Sequence, residues 1–294
     1  MNVPRKKPTD RLSDRMSSRL EGLSPGLKAV LIYIDENRGT VIAQSALEIA
    51  AQTGTSDATV IRAIQALGFE GLRELKAELK NAMMVTMSSA DKMAATTDDL
   101  GSDLASAISY VAESHRKAAD HMSDPANHQS MLRAIEILQG AERVAIFGIG
   151  ASGILADYAA RMFTRNGFPA YALNRTGLAL GDQLLSMTQG DVMIMMAQES
   201  AHREGITALD EAARLRVPTI LLTASQSTAF QQRATVTVIA PRGKGGRFPV
   251  HGAILMYLEA IILGLAAVSS ERSSKSMRRL NLFYNSIRKR QRKV

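Results

Sequence analysis

The sequence predicts two folds in series: an all-α helix-turn-helix domain, then a larger α/β domain whose parallel sheet is covered by helices on both faces. Three observations predict this. The chain has 294 residues, long for one core and natural for two. Residues 46–67, ALEIAAQTGTSDATVIRAIQAL, read as two short helices joined by a glycine turn. Beyond Arg143 the hydrophobic period changes to short apolar runs separated by helix-length segments or loops. The expected organisation is 1–82 for the helix-turn-helix domain, 83–125 for a helical join, 126–270 for the α/β domain and 271–294 for a basic helix and tail.

In the first domain the cationic patch Arg5-Lys6-Lys7 is expected as a disordered arm. Ser24-Pro25 places a cap before proline at the first helical position, starting a helix that runs to about Glu36. In the central motif Ile49 and Ala50 are apolar and small where a second helix must approach. Gly54 sits at the reversal, where positive φ is cheap only for glycine. Ser56 is placed to cap the second helix, and Val60, Ile61 and Ile64 form its apolar stripe. Asp57, Ala58, Thr59, Arg62 and Gln65 then face outward and, with Thr55 and Ser56 at the turn, are the expected DNA contacts. Short polar groups at a helix start plus one arginine suit the major groove, where base edges are read by hydrogen bonds and phosphates by cations. A small helical hairpin inside a bundle is the plainer alternative.

The run from Ser45 to Lys80 resembles the N-terminal domain of the RpiR-type bacterial transcription regulators. The resemblance rests on Gly54, Ser56, Ala58, Thr59, Val60, Arg62, Leu67, Gly68, Phe69, Gly71, Leu75 and Lys76 at fixed spacing. It implies double-stranded DNA as partner and, in the second half, a sugar-isomerase-type (SIS) domain that binds phosphosugars.

Residues 81–142 are mostly helical in pattern. Leu104, Ile108 and Val111 share one face, and Met131, Ile135 and Leu138 another. Met83, Met84 and Met87 suit either a dimer surface or an irregular core. Strands are expected at Val144–Phe147, Ala170–Leu173, Val192–Ala197, Thr219–Thr223 and Thr235–Ile239. Ligands in such sheets bind beyond the carboxyl ends of the strands, so the residues after each run carry the interest.

The first such loop is Gly148-Ile-Gly-Ala-Ser-Gly153, whose glycines admit an anion to backbone amides at a helix start. It matches the dinucleotide fingerprint, but Leu173-Asn174-Arg175 offers no carboxylate for a ribose diol. No cofactor or metal is expected. The loop also resembles the Gly-x-Gly-x-Ser opening of an SIS domain, which implies effector contacts from Gly148, Gly150, Ala151 and Ser152. After the third strand the chain departs from that family: Ala197-Gln-Glu-Ser-Ala-His202 replaces a hydroxyl-rich phosphate loop. Glu199 stands where a dianion needs a donor, a repulsion on the order of a kilocalorie per mole or more. His202 or Arg203 is placed to compensate. Either the pocket is unoccupied, or Glu199, Ser200 and His202 receive an effector other than an ordinary phosphosugar.

A third loop, 241–249, carries Arg242, Lys244 and Arg247 among glycines, suiting an anionic ligand or a surface turn. The helix after it, about Val250 to Val268, is apolar all round except His251 and Glu259, and so is expected buried in the domain or in a dimer interface. Glu259 either faces the pocket, as the SIS resemblance implies, or pairs internally. From Ser269 onward nine cations face one carboxylate, which accounts for the whole net charge of +8. Leu280, Phe283, Tyr284 and Ile287 fall at i, i+3, i+4 and i+7, predicting a helix with one buried face; the last six residues suit phosphate contact.

The chain has no cysteine, which excludes disulfides and thiolate chemistry. The N-terminus has no apolar core of a signal peptide, and no apolar run reaches the roughly 20 residues of a membrane helix, so a soluble cytoplasmic protein without membrane contact is expected. The expected function is a DNA-binding regulator, not an enzyme, acting as a homodimer or homotetramer and sensing a phosphosugar or sugar derivative. The alternative is an aldose–ketose phosphate isomerase with an accessory helical domain; His202, Glu204, His251 and Glu259 stand in no spacing that demands it.

Overall fold

The computed structural model describes residues 11–198, 202–224 and 230–291, without the side chains at 81, 83–86 and 289–291. Glu199 and Ser200, the arm Arg5–Lys7, the side chains of Met83 and Met84, and those of the last six residues therefore lie outside the described residues. The chain divides into two compact units, Met1–Ala95 and Thr96–Val294.

The first unit is all helical: α1 (Arg11–Arg19), α2 (Pro25–Glu36), α3 (Arg38–Val41), α4 (Ala46–Thr53), α5 (Asp57–Ala66) and α6 (Leu72–Thr86), with the division falling in α7 (Ser89–Leu100). Its core draws Leu12 from α1, Val30, Leu31 and Ile34 from α2, Ile49 from α4, Val60 and Ile64 from α5, and Leu75 from α6, all fully buried. Each such side chain contributes roughly 1.5–3 kcal/mol of transfer free energy. Two local expectations change. Ser24 stands at the N-cap of α2 with extended backbone, but its side chain makes no capping bond. The stripe of α5 is Val60, Ala63 and Ile64, while Ile61 is half-buried, because the close approach of α2 and α4 selects the face that carries alanine.

The second unit begins with α8 (Leu104–Met122) and α9 (Pro125–Gln139). β1 (Arg143–Gly148), α10 (Ala151–Arg165), β2 (Ala170–Leu173), α11 (Leu178–Leu184), β3 (Asp191–Met196), α12 (Arg203–Leu215), β4 (Thr219–Thr223), β5 (Val236–Ile239), α13 (Gly252–Val268) and α14 (Ser270–Gln291) follow. The five strands form one sheet in the order β2-β1-β3-β4-β5, every pair parallel. Strand alternation sends Val144, Ile146, Ile194, Ile220 and Leu222 into a core with α9, α10 and α13. Ala145, Phe147, Met193, Met195 and Leu221 point to the opposite core, under α11 and α12. Both faces are thus covered, as a parallel sheet requires. The edge strand β5 is closed by Asn127, whose amide donates to the Ile239 carbonyl and accepts from its N–H, both at 2.9 Å.

Three apolar faces stand differently from the sequence pattern. Leu104 and Ile108 of α8 are 84% and 74% exposed within this chain. α13 buries Ile254, Tyr257, Leu258, Ile261 and Leu265 but leaves Leu263 67% exposed. The expected buried face of α14 is only partly covered: Leu280 and Tyr284 are half-buried, whereas Phe283 and Ile287 are more than half exposed. α14 is instead anchored by its first turns, where Ser273 donates to the Asn166 carbonyl at 3.1 Å and the Arg272 guanidinium lies 4.0 Å over the Phe168 ring. Among the described residues no single helix is long and apolar enough to cross a membrane.

Candidate functional site

In the first unit, α4 is entered through a reciprocal cap. The Ser45 hydroxyl accepts from the Glu48 N–H, and the Glu48 carboxylate accepts from the Ser45 N–H at 2.6 Å. These bonds from Ser45 hold the Glu48 carboxyl below its ordinary range. Gly54 ends the helix at φ +62°, turning the chain toward α5. Ser56 caps α5 by accepting from the Thr59 N–H at 3.2 Å.

With Val60, Ala63 and Ile64 buried beneath, Ser56, Asp57, Ala58, Arg62 and Gln65 are exposed together on one side of α5. Thr55 and Thr59 are half-buried: Thr55 bonds the Thr53 hydroxyl at 2.9 Å, and Thr59 bonds that of Ser56. Arg62 lies along its own helix, Nε donating to the Ala58 carbonyl at 3.3 Å, with no carboxylate partner among the described residues. It is a cation held on the same face as four short polar or small residues, the arrangement that groove reading requires.

In the second unit the order β2-β1-β3 places the topological switch between β1 and β3, where doubly wound sheets open a crevice at their carboxyl ends. Gly148, the last residue of β1, is in register with Met196, the last of β3. The Gly148–Ser152 loop and Ala197-Gln198 therefore leave the sheet side by side. A Cβ on Gly148 would lie 2.4 Å from the Ser152 carbonyl oxygen, so only glycine permits this turn. Gly150 carries φ +62° at the start of α10 and its helix has no side-chain cap, which leaves the first amides of α10 available to an anion. Ser152, on the first turn, is 8% exposed. Ala151 beside it is exposed.

His202 has a different role from the compensating cation expected of it. Its Nδ1 accepts from the Gly205 N–H at 3.0 Å and caps α12, while the ring stacks on Phe147 at 5.9 Å and meets Phe230 edge-on. Burial lowers the His202 pKa, against a smaller opposing pull from Glu204. The ring is thus neutral near pH 7, a donor at Nε2 only. Glu204, 3.8 Å from it, reaches the Gly177 N–H at 3.4 Å. Hydrogen bonds from its own N–H and that of Gly177 hold the Glu204 carboxyl low.

Glu259 is not brought to this crevice. It is exposed on α13 and accepts the Tyr158 hydroxyl at 2.8 Å, almost two turns along α10 from Ser152. The pattern of residues alone missed Gln198 and Thr223, at the carboxyl ends of β3 and β4. The Gln198 Nε2 and the Thr223 hydroxyl are buried without a hydrogen-bond partner among the described residues, and Gln198 Oε1 accepts from the Ala224 N–H. Their position directly after strands was the available signal.

Comparison with known proteins joins these two halves. Residues 11–85 match the model of the helix-turn-helix domain of the rpiR family, and residues 137–264 match that of the SIS domain. The chain belongs to the RpiR family of helix-turn-helix regulators. It is 26% identical over 215 residues to an HTH-type transcriptional regulator of Caldanaerobacter subterraneus, covering 73% of this chain and 74% of the relative. It is 26% identical to the HTH-type transcriptional regulator YfhH of Escherichia coli over 74% of this chain and 77% of the relative. A match of 27% to the bifunctional protein glk of Burkholderia orbicola spans 74% of this chain but only 33% of that protein.

Among solved structures the fold is similar to that of the Vibrio vulnificus NanR protein complexed with ManNAc-6P. The TM-score is 0.54 and the identity 24%, over 94% of this chain and 98% of NanR. The sugar isomerase domain of an RpiR transcription factor from Sphaerobacter thermophilus covers 57% of this chain and 92% of its own, with TM-score 0.51 and 22% identity. This RpiR-family chain therefore joins a DNA-binding helix-turn-helix domain to an SIS domain.

Proposed function

We propose that this protein is a transcription regulator whose SIS domain senses a phosphosugar or related sugar derivative and thereby alters operator binding. The observation that carries the reading is the pairing of two features in one chain. One is a Ser56-capped helix with Arg62 exposed on its outer face; the other is an uncapped helix start at Gly150–Ser152 in the β1–β3 crevice. The NanR complex with ManNAc-6P supports a phosphorylated sugar as the class of effector. In this reading Thr55, Ser56, Asp57, Ala58, Thr59, Arg62 and Gln65 contact DNA. Gly148, Gly150, Ala151 and Ser152 receive the effector, with the Nε2 donors of Gln198 and His202.

The crevice supports sensing over isomerisation. A proton-moving base works best with a pKa near the operating pH, whereas the Glu204 carboxyl is held low and the His202 ring is committed to a helix cap. The exposed Leu104, Ile108 and Leu263 support assembly of a homodimer, in which two recognition helices meet half-sites about one helical turn apart or a multiple of it. The effector shifts DNA binding only by binding one conformer better than the other.

The test is fluorescence anisotropy of the full chain on DNA from upstream of its own gene against scrambled DNA, across a salt series. A preference that survives near-physiological salt, and changes when phosphosugars are added, supports the proposal. Equal, salt-labile binding to both DNAs would refute it and leave only basic, sequence-indifferent contact.

A further inference from the structure

The loop between β5 and α13 holds a half-buried cation with no anion beside it among the described residues. Arg242 Nε is buried with no hydrogen-bond partner among the described residues, and burial alone lowers the Arg242 pKa, with no acid opposing it. The loop's other two cations are satisfied: Lys244 Nζ donates to Asp99 at 3.0 Å, and Arg247 grips both oxygens of the same carboxylate at 2.7 and 2.9 Å. Asp99 is thus committed to them.

The partner that Arg242 does have is a ring nitrogen, His251 Nε2. A guanidinium can only donate, so that nitrogen accepts and His251 is held neutral while the contact lasts. Burial and the Arg242 charge both lower the His251 pKa, with a bond to the Pro249 backbone opposing them.

A second unsatisfied donor converges here from α8. The Tyr110 hydroxyl is buried without a partner among the described residues, and it lies 3.2 Å from where a Cβ on Gly243 would stand. Gly243 has φ +93°, so the loop folds back under α8 and brings that phenol over the residue next to Arg242. The Val250 N–H closes the loop on the Arg242 carbonyl at 3.1 Å. His251 also precedes α13, whose start has no side-chain cap. A buried guanidinium unmatched by acid is costly unless something supplies the negative charge.

We propose that Arg242, the Tyr110 hydroxyl and the His251 turn form a second anion site, one that takes a phosphate group. Arg242 supplies the charge-assisted donors, Tyr110 a neutral one, and His251 is displaced from the guanidinium by the entering oxyanion. The site is separate from the Gly148–Ser152 loop: in the order β1-β3-β4-β5 it stands three strand steps away, roughly 14 Å at ~4.8 Å per step. The ligand is either free phosphate or a phosphate monoester.

The test is isothermal titration of the full chain with inorganic phosphate and, separately, with glucose 6-phosphate, at matched ionic strength. Expected is saturable binding that Arg242→Gln weakens about tenfold or more and Tyr110→Phe weakens by a smaller factor, each the loss of a donor to a charged oxygen. The component of binding that Arg242→Gln and Tyr110→Phe weaken persists in Ser152→Ala, whatever that variant does to the crevice, which separates the two sites. Tyr110→Phe keeps the shape of the side chain, so the test stands even if Arg242→Gln fails to fold. Tighter binding of the ester than of phosphate supports a phosphorylated metabolite as the ligand; equal binding supports free phosphate. Absence of saturable binding, unchanged binding in both the Arg242 and the Tyr110 variant, or loss of that same component in the Ser152 variant would each overturn the proposal.

Discussion

Tyr158 and Glu259 close a hydrogen bond between α10 and α13, the phenol donating to Glu259 Oε1 at 2.8 Å on an exposed rim of the sheet domain. That bond to Glu259 also raises the Tyr158 pKa. The carboxylate of α13 is therefore paired within the chain, the second of the two placements expected for it, and not in the crevice that the SIS resemblance implied. Glu259→Gln, which keeps an acceptor for the phenol, is expected to leave the effector concentration for half-maximal release from DNA unchanged. A shift of tenfold in that titration would return Glu259 to the effector site.

Arg62 lies against its own helix and supports no core residue, so its loss has no folding consequence to confuse the reading. Arg62→Ala is expected to weaken operator binding by about 1–3 kcal/mol, roughly five- to a hundredfold, with an unchanged thermal midpoint. Anisotropy on specific and scrambled DNA separates its two possible roles. A loss confined to the specific sequence marks base reading; an equal loss on both marks a phosphate contact.

Ser152 is on the first turn of α10, beside the open amides that follow Gly150. Ser152→Ala is expected to keep operator affinity and to raise the effector concentration needed for the DNA response roughly tenfold to a hundredfold, the cost of one hydrogen bond to a charged group. A full response at the parent concentration in the same anisotropy titration would place the effector elsewhere.

Asp191 is a stability determinant with a sign that pH can read. Its buried carboxylate takes Arg143 Nε at 2.8 Å, the Tyr171 hydroxyl at 2.6 Å and the Thr188 N–H at 3.0 Å. Burial pushes the Asp191 pKa up, but Arg143, Tyr171 and Thr188 together outweigh it and leave it below the ordinary value. A depressed folded pKa stabilises the fold above the unfolded carboxylate pKa, and that contribution is lost as pH falls through the folded value. Asp191→Ala is expected to cost about 2–3 kcal/mol at pH 7, below the full value of a buried pair because Arg143 is partly exposed. Urea unfolding should show the gap between parent and variant narrowing from about pH 4 downward; a constant gap would remove the carboxylate charge from the account.

The sequence by itself determined what depends on neighbours a few residues apart. The strands expected at Ala170–Leu173 and Thr219–Thr223 have those bounds, and the others differ by a residue or two at their ends, because a run of branched apolar residues between turn signals is a local property. The turn at Gly54 and the cap at Ser56 were legible for the same reason: positive φ and helix-start amides impose residue types at fixed positions. α1 was not legible, since only Leu12 and Met16 in its nine residues are buried, too few to mark a period.

Tertiary structure alone decided which faces are covered and which charges are compensated. Leu280, Phe283, Tyr284 and Ile287 form the periodic stripe of a buried helix, yet Phe283 and Ile287 remain open because none of the described residues covers them. His202 reads as a cation for a ligand, yet Phe147 and Phe230, far from it in sequence, enclose the ring and keep it neutral. Arg242 reads as one of three loop cations, and only the fold gives Asp99 to the other two and leaves Arg242 without an acid among the described residues. Periodicity measures what a segment is able to bury, whereas burial and charge compensation depend on groups that distant segments bring to it.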